Sequence, residues 1–104
     1  MKLVYPAIFY PFEVEEGDGY TVIVPDLPGC VTEGNNLYDA ILMGVDEASG
    51  WVLGEIEDGR RAPDASDYKD VVPETGGFVS LLPLDIDSYA EQYGNSIDSE
   101  ALER

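Results

Sequence analysis

The sequence contains no histidine, one cysteine and only five basic residues. Without histidine there are no Ser-His or Cys-His nucleophile pairs, no imidazole metal ligands and no imidazole proton shuttle. The lone cysteine, Cys30, cannot close an internal disulfide, and it cannot complete an ordinary structural zinc site. Lys2 and Lys69 are the only lysines, and neither sits in a phosphate-cradling Gly-rich loop. Long apolar runs are missing too. Acids interrupt each run well short of the roughly 20 residues of a membrane helix. Met1-Lys2-Leu3-Val4-Tyr5-Pro6 does not read as a secretory leader. The expected compartment is the reducing cytoplasm.

What is abundant is negative charge. Twenty-two acids give a formal net charge of −17 over 104 residues. An apolar share of 44% still supplies one core, so the charge does not enforce disorder. The length fits one domain. Phosphate backbones are held by Lys and Arg, so direct nucleic-acid binding by this chain alone is not expected. A basic protein is the natural partner, because opposite fields steer association. Host-wide acidity, as in a salt-adapted proteome, is a second account of the same charge.

Residues 3–12 are β-branched and aromatic and predict a first strand, with Pro6 and Pro11 as awkward members. Asp18-Gly19 reads as the hairpin turn, and 20–24 as a second strand. Pro25-Asp26-Leu27-Pro28-Gly29 is a compact turn, followed by a short third strand over 30–33. Asn36 reads as a helix N-cap, with Asp39 three residues on. Apolar residues then recur at three- and four-residue steps from Leu37 to about Ile56, predicting a helix over 37–57. Gly44 lies on its apolar face, where a missing side chain allows close packing; Gly50 and Gly54 lack such an account. Residues 60–76 read as an ordered loop or linker, and 78–84 as a fourth strand. The tail holds apolar residues among acids, enough for one or two short helices broken at Gly94-Asn95.

The order β-β-β-α-β predicts an α+β domain whose long helix buries one face on the sheet. A right-handed crossover would set the fourth strand beside the first and parallel to it, giving the order 3-2-1-4. Pro6 then falls on a central strand, a conflict that composition does not resolve.

Several segments carry a family resemblance. They are Tyr5-Pro6-Ala7-Ile8, Gly19-Tyr20, Val24-Pro25-Asp26-Leu27-Pro28-Gly29-Cys30, Thr32-Glu33-Gly34 and the helix with Asp39-Ala40. Together they resemble the HicB antitoxins over about residues 4–58. The Pro-Asp-Leu-Pro-Gly string after a strand is the distinctive part. The resemblance implies a partial ribonuclease-H-like sheet, placed here over 1–85; residues 86–104 read as an acidic tail with room for one or two short helices. It implies a cytoplasmic antitoxin whose partner is a small basic HicA-type toxin that cleaves mRNA. It also implies a homo-oligomer, expected here as a dimer. Many members repress their own operon through a C-terminal DNA-binding module. After Leu84 only twenty residues remain, with Arg104 their only basic residue, so that role is not carried over.

Glu13, Glu15, Glu16 and Asp18 crowd one hairpin, and Asp26 and Glu33 lie in the resembling segments. These six are the expected partner-binding residues; a solvated turn accounts for the hairpin acids equally simply, and for Asp26 a turn fixed by its own side chain is the favoured account. No catalytic, cofactor or metal residue is expected. Asp46 and Asp85 could fill two corners of a nuclease site, but two acids hold catalytic Mg²⁺ poorly. Cys30 and Trp51 read as core. Two other functions stay open: an orphan regulatory or structural domain without a toxin, and a carboxylate enzyme.

Overall fold

The computed structural model describes residues 1–15 and 17–94. Four strands, β1 (Lys2–Val14), β2 (Gly17–Ile23), β3 (Val31–Gly34) and β4 (Phe78–Asp85), form one sheet of order β3-β2-β1-β4. The helix α1 (Leu37–Glu57) covers one face, and a short α2 (Ile86–Tyr89) follows β4. A further helical turn spans Ala90–Gly94, and the expected break at Gly94-Asn95 falls where the described residues end.

Every neighbouring pair of strands is antiparallel. The parallel placement of the fourth strand is therefore wrong, and the connection explains why. Between α1 and β4 the chain does not pass directly into the sheet. Residues 58–77 form a strap that returns to the end where α1 began. The Tyr5 hydroxyl donates to the Pro63 carbonyl at 2.6 Å. Ser66 donates through N–H and Oγ to the Asp26 carboxylate at 2.8 and 2.6 Å. Farther on, Glu74 N–H donates to the Tyr10 hydroxyl at 3.0 Å. A single 3-10 turn, Tyr68–Asp70, sits midway, with the Asp67 side chain accepting from Lys69 N–H.

Pro6 and Pro11 are accommodated by stagger. β4 pairs with Lys2–Phe9 of β1, whereas β2 pairs with Ile8–Val14. Only Ile8 and Phe9 have strands on both sides. Pro6 thus has β4 alone beside it, and Pro11 has β2 alone, so each lies where β1 is locally an edge.

Alternate β1 residues Tyr5, Ala7 and Phe9 enter the core with Val22, Val24, Leu82 and Leu84. From α1 come Ala40, Ala48 and Val52. The N-cap is as expected: Asn36 Oδ1 accepts Asp39 N–H at 2.8 Å, while the Asp39 carboxylate accepts Asn35 N–H at 3.0 Å. A Cβ on Gly44 would sit 3.1 Å from Leu82 Cδ1 and 3.2 Å from Val22 Cγ1, so glycine there sets the helix close to the sheet. Gly50 also acquires a reason, since its Cβ would meet the Tyr89 hydroxyl at 2.9 Å. Around Gly54 there is open space, and nothing in the structure explains it.

Candidate functional site

The hairpin turn is not at Asp18-Gly19. Val14 pairs with Gly17, and the two-residue connection lies between them. Gly17 takes φ +111°, a conformation that favours glycine. Gly19 lies within β2 opposite Phe12, and a Cβ there would stand 2.6 Å from the Phe12 ring. Its small size, which read as a turn signal, makes room for an aromatic.

This register puts Glu13 directly across from Asp18. Both are exposed, as is Glu15. Like charges at facing positions repel, so the pair is held by the hairpin rather than by attraction. Glu33 is exposed on β3 opposite Thr21. Among the described residues, none of these four side chains makes a hydrogen bond or ion pair. Glu16 lies outside the described residues. Val14, Glu15, Asn35 and Asn36 line one shallow hollow, so the acidic tip adjoins the start of α1.

Asp26 stands apart. It follows the far end of β2 and spends its carboxylate on Ser66, forty residues along. Within its own turn the bonds are backbone ones: Leu27 N–H to the Val24 carbonyl at 3.0 Å and Cys30 N–H to the Leu27 carbonyl at 2.9 Å. Leu27 is fully buried, and Gly29 adopts φ +82°. Trp51 Nε1 donates to the Pro28 carbonyl at 3.0 Å, joining α1 to the turn. The Pro-Asp-Leu-Pro-Gly string thus plugs the core and anchors both helix and strap. Cys30 is buried behind it. Burial, with Glu47 nearby, pushes its thiol pKa up to about 11, the reverse of a reactive cysteine.

Sequence reading missed the exposed flank of α1. Tyr38 is 75% exposed and Leu42 50%, and they share a flank with Val45. Farther along, α2 covers that flank, with Tyr89 against Gly50. Leu42, Val45, Asp46, Pro83, Tyr89 and Tyr93 line a groove of about 300 Å³ at the junction. The available signal was two large apolar residues, four apart, lying off the core stripe.

Asp46 and Asp85 border the same groove. Asp85 is the N-cap of α2, its Oδ1 accepting Ser88 N–H at 3.1 Å. Among the described residues, no three acids or cysteines gather as a metal site. No helix among them is long and apolar enough to cross a membrane.

Comparison with known proteins follows the same lines. Residues 5–97 match the model of the HicB-like antitoxin of bacterial toxin–antitoxin systems. An uncharacterised 14.9 kDa protein from the rep-hol intergenic region of Haemophilus phage HP1 is 32% identical over 83 residues. That match covers 77% of this chain and 62% of the phage protein, so the chain spans under two thirds of that relative. A toxin–antitoxin complex from Streptococcus pneumoniae contains a chain similar in fold, with TM-score 0.71 and 22% identity, covering 99% of this chain and 95% of the other. The N-terminal domain of antitoxin HicB from Burkholderia pseudomallei gives TM-score 0.64 and 26% identity, covering 80% of this chain and 99% of the other. A chain of a HicA3–HicB3 toxin–antitoxin complex gives TM-score 0.60 and 19% identity, covering 80% and 99%. With its sheet order, its plugging turn and this match along most of its length, the chain belongs to the HicB-like antitoxin family.

Proposed function

We propose that the chain neutralises a small basic HicA-type toxin by covering the surface with which that toxin holds RNA. The observation that carries this reading is an acidic tip beside the N-cap of a helix that leaves Tyr38 and Leu42 exposed. The side chains of Glu13, Glu15 and Asp18 have no partner among the described residues, and the hollow beside Glu15 reaches Asn36 at the start of α1, on which Tyr38 and Leu42 are exposed. Acids at a rim mainly speed encounter with a cationic partner. Slow dissociation needs desolvated anchors, and a tyrosine and a leucine on a rigid helix suit that role. Glu33 extends the acidic rim along β3. Asp26, whose carboxylate holds Ser66 of the strap, lies away from this rim.

The neighbouring toxin–antitoxin complexes support a toxin partner, and the −17 charge supports a basic one. The proposed mechanism is steric and electrostatic, and the chain performs no chemistry of its own. It acts in the cytoplasm, as a homodimer. Binding kinetics with the basic protein encoded next to it test the surface. Tyr38→Ala with Leu42→Ala should raise the off-rate, and Glu13→Lys with Asp18→Lys should lower the on-rate. Unchanged kinetics in both variants would remove this surface from the account.

A further inference from the structure

The groove where α2 meets α1 is apolar, with charge of one sign at its border. Leu42, Val45 and Asp46 come from α1, at steps of three and four residues and so on one flank of the helix. Pro83 and Asp85 come from β4, Tyr89 and Tyr93 from the helical turns that follow it. Among the described residues, no lysine or arginine lines the groove. Asp85 gives Oδ1 to the Ser88 N–H. Lys2, opposite Asp85 in the β1–β4 register, lines a different cleft and forms no ion pair with it among the described residues. The Asp46 side chain makes no hydrogen bond or ion pair among the described residues, so it carries the open carboxylate of the groove.

The Tyr89 hydroxyl senses that charge. Burial raises its pKa, and Asp46, Tyr93 and Glu47 raise it further, in that order. A cation beside the hydroxyl would act the other way, and none does. The Tyr89 and Tyr93 rings lie at a tilt with centroids 4.7 Å apart. Tyr93 is 49% exposed, so much of its ring is open to a partner. Leu42 is also half-exposed, and Val45 and Pro83 supply the remaining apolar lining. At about 300 Å³ the groove holds a single long side chain.

Charge decides among occupants. A second copy would bring a further −17, and residues 95–104 bring three acids with Arg104 as their one base. Both have the wrong sign for Asp46, whereas a cationic side chain is drawn in by the groove and by the field of the whole chain. Lysine offers a point charge. Arginine offers a planar face for a tyrosine ring and a fork for a carboxylate, on a stem apolar enough to lie along the groove. We infer that this groove seats one arginine side chain of a basic protein partner, its stem against Leu42, Val45 and Pro83, its guanidinium on the Tyr93 ring and the Asp46 carboxylate. The inference rests on the antitoxin reading for the identity of that partner, and it extends the surface proposed there, since Leu42 belongs to both.

The test titrates the full chain, at moderate salt, with two capped tripeptides of equal charge, Leu-Arg-Ala and Leu-Lys-Ala. The arginine peptide should give saturable amide shifts centred on 42–49 and 89–93, and the lysine peptide should bind several-fold more weakly. In the complex with the basic protein encoded beside the chain, Asp46→Asn and Tyr93→Leu should each raise the off-rate about tenfold. Both positions are exposed, so folding is retained, as circular dichroism checks. Shifts spread over the acidic hairpin, or equal affinity for the two peptides, would overturn the groove. So would an off-rate that these variants leave unchanged while Tyr38→Ala with Leu42→Ala raises it, and the antitoxin reading would then stand without the groove. Arginine-specific shifts at the groove, with a basic neighbour that the chain fails to bind, would support the groove and remove the antitoxin reading instead.

Discussion

Glu13 on β1 and Asp18 on β2 stand directly opposite each other in the hairpin, one carboxylate across from another. Facing like charges cost a few tenths to about 1 kcal/mol. Asp18→Asn should therefore stabilise the isolated chain by about 0.5 kcal/mol in urea denaturation at low salt. Added salt should shrink that gain, as screening removes the repulsion. The same variant should associate more slowly with a basic partner. Stability and binding move in opposite directions, which a merely solvated turn does not predict.

The helix glycines separate by environment. Gly54 has open space where a Cβ would stand, so Gly54→Ala should stabilise by about 0.5–1 kcal/mol through helix propensity. Gly44 faces Leu82 and Val22 at little more than 3 Å. Gly44→Val should lower stability by about 1–3 kcal/mol, because the added branch overpacks the helix–sheet contact. Thermal denaturation of both variants checks the contrast.

Which parts were legible follows the range of the interactions. Asn36, Asp39 and the apolar spacing from Leu37 to Ile56 are local, and the helix ends coincide with the expected ones. The order of β1 to β3 followed from short connections, whereas β4 was set beside β1 through a parallel crossover, so its place is right and its direction is not. The direction of β4 was not legible, because it depends on Tyr5 meeting Pro63, Asp26 meeting Ser66 and Tyr10 meeting Glu74. Those bonds span 40 to 64 residues and leave no local mark. Gly19 misled in the same way, since its reason is a ring seven positions earlier. At the site, acids could be listed from sequence, but only the fold sets Glu15 beside Asn36 and leaves Tyr38 open.

Trp51 is the only tryptophan, and its indole N–H holds the Pro28 carbonyl. Trp51→Phe keeps most of the packing and loses this bond. It should cost about 0.5–1.5 kcal/mol in chemical denaturation. The loosened turn should also expose the thiol of Cys30, read as faster labelling by a disulfide reagent in the native state.

Cys30 supplies a pH signature. Its pKa in the folded chain is raised from 9.0 to about 11, by burial first and by Glu47 second. A raised thiol pKa means the folded state holds its proton longer than the unfolded state does. The associated stability is complete below pH 9 and is lost as pH climbs from 9 toward 11. Burial also raises the Tyr5 hydroxyl, with Asp26 and Asp64 adding to it, so Tyr5 acts in the same direction at higher pH. Cys30→Ala should flatten the alkaline decline between pH 9 and 11 measured by denaturant midpoints. An equally steep decline in that variant would assign it to the tyrosines alone.

In the proposed neutralisation, this chain silences a basic RNA-cleaving partner by occupying its RNA-holding surface. The most direct measurement is RNA cleavage by the basic protein encoded beside it, titrated with this chain at moderate salt. The account predicts cleavage falling to zero at a fixed stoichiometry, with the Tyr38→Ala, Leu42→Ala double variant leaving activity behind. Cleavage that continues in the presence of excess folded chain would contradict it.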